Sequence, residues 1–244
     1  MRVFKGLLAV SVGSAIWVMS AVAALAAPTT TMVPAAQMLP SKAQFDTLFP
    51  QRIAFYSYEG FVAAVRQTPG FAAWGSVEQR SQEMAAFLGQ IAHESDELRA
   101  QREYRKENWG HYCRQGPGES CAPGQQYYGR GPIQLSWNYQ YKRAGDFLGL
   151  DLWSDPDLVA RDATVAWRTA LWYWMTQPGE STRSPHQALR DQLGFGATTR
   201  AINGTLECDK PADPDALRKN QRRIDFYKHA SQLFGVPLLH PLGC

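Results

Sequence analysis

The chain has little of what several protein classes are built from. Its 244 residues hold four cysteines and five histidines, no two cysteines have a two-residue spacing, and no His stands beside them in ligand register. The usual zinc frameworks are thereby excluded. No sign of charge dominates: 25 Lys and Arg against 22 Asp and Glu give +3, and two of those positive charges are Arg2 and Lys5 at the extreme N-terminus. Nucleic acid is excluded as a partner on this ground. Gly129-Arg130-Gly131 is followed by neither a dinucleotide fingerprint nor the Lys-Ser/Thr of a phosphate loop. His93-Glu94 lacks the second histidine of a zinc-protease helix, because position 97 is Glu. No serine sits in a nucleophile elbow. Repeats, low-complexity tracts and internal linkers are missing as well.

One long apolar run is present, at residues 6–23, with Arg2 and Lys5 before it and Ala24-Leu25-Ala26 after it. This reads as a secretory signal peptide over 1–26, with no membrane anchor left after its removal. The remaining 218 residues (244 minus 26) suit one domain with its own core. Residues 27–42, rich in Pro, Thr and Ala, read as a short leader, and 43–244 as the folded domain, expected to be a monomer. In an exported chain four cysteines suggest two disulfides, with three pairings open. The nearest-neighbour option joins Cys113 to Cys121 and Cys208 to Cys244, closures of about 2.5 and 4 kcal/mol in the loop-entropy model.

The domain reads as helix-dominated, mainly α with a minor α+β character and long loops. Ser57 opens a short helix to Val65. Met84, Phe87, Leu88 and Ile91 recur at three- and four-residue steps in a helix over 76–95. Asp162 caps a helix to about Met175 with a wide apolar face, and Asp213-Pro214 opens another that stops at Gly235. The stretches 113–134 and 176–206 read as turn-rich. The run 96–107 reads locally as a charged, solvated helix.

Glu94, three residues after Ile91, extends the buried stripe of its helix. A carboxyl so placed is partly desolvated, the condition under which it keeps a proton to give to a leaving sugar oxygen. A base must face it across a polar cleft. Glu97, Glu103 and Glu107 are all candidates. One helix from 94 to 103 would separate the ends by about 13.5 Å and half a turn, and 95–102 contains neither Gly nor Pro. The residues leave that choice open. Downstream, Tyr127-Tyr128-Gly129-Arg130-Gly131-Pro132-Ile133-Gln134-Leu135-Ser136-Trp137-Asn138-Tyr139 is dense in side chains that contact sugars. Arg218, Lys219, Arg222 and Arg223 read as a solvated basic helix face.

That block, with residues 86–95, His111-Tyr112-Cys113, 170–174, Gly194-Phe195-Gly196, 202–208 and 223–227, closely resembles the glycoside hydrolase family 19 chitinases. The resemblance covers nearly all of 43–244, in order, and looks like the compact bacterial branch. It implies a lysozyme-like, helix-rich domain of two lobes around a substrate cleft. It also implies inverting hydrolysis of β-1,4 links between N-acetylglucosamine units, without metal or organic cofactor. Residue by residue, Glu94 matches the general acid and Glu103 the general base. Ser136 matches the serine that holds the attacking water. Gln134, Tyr139 and Asn203 match sugar-binding positions, and Trp137 beside Ser136 is a candidate stacking surface. Glu207 and Arg223 match a charge network that positions the acid. Two departures stand out: Gln140 replaces an Asn, and Arg99 and Arg102 lie where a Gly-Gly-containing stretch breaks the helix. The expected role is a secreted endochitinase acting on chitin or chitooligosaccharides. A peptidoglycan hydrolase on the same scaffold is the alternative, because cell-wall glycan shares the sugar and the linkage. A non-catalytic sugar-binding protein is disfavoured by retention of both carboxyls and Ser136.

Overall fold

Capping residues set most of the helix boundaries. The computed structural model describes residues 37–117 and 119–244, and the expected signal peptide lies outside them. Among the described residues eight α-helices follow one another: α1 (Lys42–Leu48), α2 (Tyr58–Arg66), α3 (Val77–Glu94), α4 (Asn138–Leu148), α5 (Ala163–Thr176), α6 (Pro185–Arg190), α7 (Phe195–Glu207) and α8 (Pro214–Phe234). Ser41, Ser76 and Ser184 each close a capping box with a Gln three residues on, satisfying backbone donors at the starts of α1, α3 and α6. Ser57, Asp162 and Asp213 cap α2, α5 and α8, and Gly235, at φ 65°, ends α8. Among the described residues antiparallel pairing occurs only as the isolated bridges Arg102–Arg130, Gly116–Glu119 and Arg130–Leu135.

The core is aromatic. Phe45, Tyr56, Phe61 and Phe87 surround Trp167 of α5, at ring-centroid distances of 4.9 to 6.3 Å. Trp174 meets Phe87 edge-on at 5.3 Å. Edge-to-face contacts of this kind add about 0.5–1.5 kcal/mol each beyond the area they bury. Gln37, within the segment expected as a leader, donates to the carbonyls of Val65, Thr68 and Phe71 at 2.8–3.1 Å.

Two close approaches shape the part of the fold that matters for chemistry. A Cβ at Gly89 of α3 would lie 2.8 Å from the Cα of Tyr227 in α8, so only glycine lets these helices meet here. At Gly196 a Cβ would lie 2.1 Å from the carbonyl oxygen of Gly243. The C-terminal tail thus lies against the start of α7, where Phe195 N donates to Leu239 O (2.9 Å) and Gly196 N to Pro241 O (3.0 Å). A disulfide from Cys208, just past the other end of α7, holds the tail at Cys244, and a second joins Cys113 to Cys121.

Two expectations need correction, and one helix was not foreseen. The stretch 176–206 contains α6 and most of α7. Two glycines, three threonines and a non-helical Asn203 (φ −151°, ψ 42°) disguise α7, which is held by tertiary contacts rather than propensity. The segment 113–134 runs on into an unforeseen α4, which begins without a side-chain cap at Trp137, φ 73°.

The second correction concerns 96–107, which is not one helix. The chain leaves α3 directly after Glu94, and Asp96, Glu97 and Leu98 all adopt positive φ (51°, 59° and 64°). A short 3-10 helix follows only at Lys106–His111. For L residues the left-handed region costs roughly 1–2 kcal/mol each. Leu98 offsets part of this by complete burial, which is favourable by about 1.5–3 kcal/mol. Local bonds supply the rest: Leu98 N donates to Ser95 Oγ (2.9 Å), and Ser95 Oγ donates to Ile91 O (2.7 Å). Glu97 N reaches Ala92 O (2.8 Å), and Ile53 N reaches Leu98 O (3.1 Å). Ser95, fully buried, thus stands in for the glycines that would ordinarily make such a turn. Ser95→Ala would strand the Leu98 amide and is expected to lower stability by about 1–3 kcal/mol. Urea unfolding checks this, and an unchanged midpoint would contradict it.

Candidate active site

Arg223 is the most unusual residue of the interior: a guanidinium in the middle of α8 that is 1% exposed. An unpaired cation there would be prohibitively unfavourable, so its donors must all be met. Nε and Nη2 grip both oxygens of Glu207 (2.7 and 2.8 Å), and Nη1 donates to Gln90 Oε1 (2.8 Å). Nη2 also lies 2.5 Å from Glu94 Oε1, an ion pair. Gln90 is held in turn by Thr198 and Thr199 of α7 (2.8 and 2.9 Å). Burial opposes the charge on both Arg223 and Glu207. Glu94 and Glu207 outweigh it at Arg223, whose pKa is raised. Arg223 and Asn203 outweigh it at Glu207, whose carboxyl is held below the ordinary carboxylate range. Burial, followed by the positive charges of Arg223, Arg222 and Lys219, pushes His93 down to about 2. His93 is therefore a neutral imidazole 3.8 Å from Glu207, not a partner in an ion pair.

Glu94 stands in the wall of a cleft of about 540 Å³, which Gln134, Ser136, Trp137, Tyr139, Gln140 and Asn203 also line. A tight hairpin presents the first of these. Arg130 and Leu135 exchange backbone bonds (3.1 and 2.9 Å), and the buried Arg130 guanidinium binds Asp157 (2.8 Å), Gln126 O (2.9 Å) and Tyr141 OH (3.0 Å). Gln134 (φ 51°) spends its amide donors on Gly131 O and Ala100 O. Ser136 Oγ donates to Gln134 O (2.9 Å). Trp137 is 38% exposed and lies nearly parallel to Tyr139, centroids 6.2 Å apart. Gln140 Oε1 is buried with no protein donor. Asn203, at the kink of α7, donates to Glu207 Oε1 (2.6 Å), which joins the cleft wall to the Arg223 network.

Glu103 does not line this cavity. It borders it through its neighbours. Its N donates to Gly129 O (2.8 Å), and its carbonyl accepts from Trp109 Nε1 (3.1 Å). Trp109 stacks on Tyr128 at 3.8 Å. Glu103 Oε1 accepts from Asn108 (3.1 Å) and Tyr112 OH (3.0 Å), while Oε2 is buried with no protein donor. Burial, then the bond and charge of Glu103, push Tyr112 up to about 12, so it stays a donor at any working pH. Tyr112 packs edge-on against Trp137 at 5.5 Å, which connects Glu103 to the cleft. Trp172 and Trp174 are core residues.

Several residues of the site were not foreseen. Gln90 lies one helical turn before Glu94, and Arg143 four residues after Tyr139, so helical spacing alone would have offered both. Tyr173 of α5, Asn108 of the 3-10 helix, and Tyr112 and Glu180 in loops carry no such signal. Glu180 lines the cleft and accepts from Thr205 N at the α7 kink.

Glu207→Ala would leave Arg223 half-paired in the interior, and is expected to lower the unfolding free energy by about 3–5 kcal/mol. A loss below about 1 kcal/mol, the scale of a surface ion pair, would contradict this. The sign with pH follows from the depressed carboxyl. The Glu207 contribution is complete above the ordinary carboxylate pKa and disappears as pH falls through its lower folded value, so the variant loses less stability on acidification.

With this geometry in view, the relatives of the chain become informative. A family model described as "Chitinase class I" matches residues 36–244. Chitinase C from Streptomyces griseus HUT6037 shares 45% identity and a TM-score of 0.79, over 84% of this chain and 79% of that one. An endochitinase of Phaseolus vulgaris is 38% identical over 233 residues, 84% of this chain and 70% of the relative. A protein of Hevea brasiliensis described as "Inactive chitinase-like protein 1" is 37% identical over 214 residues, 78% and 67% of the two chains. The match spans all of α1–α8, the cleft and both disulfides, and the chain belongs to glycoside hydrolase family 19, the chitinases.

Proposed function

We propose that the protein is a secreted endochitinase that cleaves β-1,4-linked N-acetylglucosamine chains with inversion, Glu94 serving as general acid and Glu103 as general base. The observation that carries the reading is the contrast between the two carboxyls. Glu94 is pinned through Oε1 by a buried cation at the cleft wall. Glu103 is held through Oε1 by two neutral donors, with Oε2 left unclaimed.

In the proposed step Glu94 enters protonated on Oε2, the oxygen that Arg223 does not face, and that proton passes to the glycosidic oxygen as its bond to the anomeric carbon breaks. Glu103 Oε2 takes a proton from a water, whose oxygen bonds to that carbon from the opposite face. Ser136 Oγ, already donating to Gln134 O, keeps its acceptor side for the same water. A single displacement with a water between acid and base calls for carboxyls about 6.5–9.5 Å apart. Trp137 and Tyr139 offer apolar faces to sugar rings, and Gln140 and Asn203 offer amides, with the amide oxygen of Gln134, to their polar substituents. Two disulfides fit an oxidising destination outside the cytosol.

Glu94→Gln and Glu103→Gln are each expected to lower kcat on chitin hexamer by at least about 10²-fold while binding persists. Glu97→Gln and Glu107→Gln are expected to stay near wild type. Turnover of the hexamer beside purified cell wall completes the test: cleavage of cell wall with the hexamer untouched would overturn the chitinase reading, and near wild-type Glu94→Gln would overturn the acid.

A further inference from the structure

The turn between the two glutamates carries a set of ties that proton transfer does not use. Asp96 stands two residues past Glu94, in the left-handed region. Its Oδ1 accepts from Arg99 Nη2 and from Arg222 Nη2, both at 2.9 Å. Its Oδ2 accepts from Tyr104 OH at 3.2 Å. Arg222 is the residue before Arg223, and Tyr104 the residue after Glu103. One carboxylate, two residues from the candidate acid, therefore touches the sequence neighbours of the candidate base and of the cation that grips the acid. Burial works against the Asp96 charge, but the Arg99 and Arg222 bonds outweigh it and keep the carboxyl ionised below the ordinary range.

Two simpler explanations of Asp96 exist. Aspartate tolerates positive φ better than most residues, so it could serve the backbone alone. Its ion pairs are partly exposed, with side-chain exposures of 32–40% across Asp96, Arg99 and Arg222, and pairs of that kind contribute little to stability. Neither explains why the side chain also reaches α8 and Tyr104. We propose that Asp96 is a positioning residue for the acid–base pair, its carboxylate setting the separation of Glu94 and Glu103 by tying the turn to Arg222 and Tyr104. The inference rests on the reading of those two glutamates as acid and base. Such a role matters because a displacement of about 1 Å in a reacting group can lower a rate roughly 10²-fold.

Asp96→Gly separates the explanations. Glycine takes the left-handed conformation without steric penalty, so the backbone is served while every side-chain tie is removed. On chitin hexamer this variant is expected to lose about tenfold in kcat with KM within about twofold, and to keep its melting temperature. Asp96→Asn keeps an acceptor oxygen and the tolerance for positive φ, and should recover part of the loss. Arg222→Gln should lower kcat as well, and the double variant Asp96→Gly/Arg222→Gln should be no slower than Asp96→Gly alone, since one tie is being cut twice. Wild-type kcat in Asp96→Gly, a loss confined to KM, or losses that multiply in the double variant would each overturn the proposal. The reading beneath it fails differently. If wild type does not turn over hexamer, or Glu94→Gln is fully active, the acid–base assignment falls and this inference with it. A Glu94-dependent wild type with an unaffected Asp96→Gly removes only the inference.

Discussion

A buried cation organises this protein. Arg223 has no access to water, so folding must deliver to it the carboxylate of Glu207, the amide oxygen of Gln90 and the carboxylate of Glu94. Those three groups come from α7 and α3, and their convergence locks α3, α7 and α8 into one arrangement. Gly89 is the backbone condition for it, since any side chain there would push α8 away. From Glu207 the constraint passes to Asn203, at the kink of α7, and from there into the cleft wall. Ion pairs of this kind give little net stability over apolar packing, while loss of one partner is severe. Their effect here is specificity of geometry: Glu94 has one place to be.

The second constraint is the abrupt end of α3. Nine residues of continued helix would turn Glu103 to the far side of the molecule, about 13.5 Å along the axis. Three consecutive left-handed residues redirect the chain instead, into the bridge between Arg102 and Arg130 and so to the edge of the cleft. The hairpin that carries Gln134 and Ser136 is thereby fixed against the segment that carries Glu103, with the Trp109–Tyr128 stack as a brace.

Much of this was legible in the residues. The helices over 57–65, 76–95, 162–175 and 213–235 follow from serine and aspartate caps, apolar spacing and a terminal glycine, all local signals. The resemblance carried by the Tyr-Tyr-Gly-Arg-Gly-Pro-Ile-Gln block pointed to the surfaces that line the cleft. The break at 95–98 was not legible, because no glycine or proline announces it; it depends on the buried Ser95 hydroxyl and on a socket for Leu98, both tertiary facts. The helix α7 was hidden for the same reason, its threonines being held by Gln90 rather than by their own propensity. Only the family resemblance set Arg223 apart, with Glu207, from what otherwise reads as a basic face. Nothing in its neighbours Arg218, Lys219 and Arg222 says which of four cations is buried.

Membership of a chitinase family that includes a relative described as inactive leaves the chemistry to the residues themselves. The central claim is that Glu94 and Glu103 act on opposite faces of one sugar, with a water between them. The anomeric form of the first product tests it most directly. Proton NMR of fresh wild-type digests of chitin hexamer should show the new reducing ends predominantly as the α anomer, made from a β link by single displacement. An initial excess of the β anomer would mean a covalent, retaining route, and would contradict Glu103 as the base that activates water.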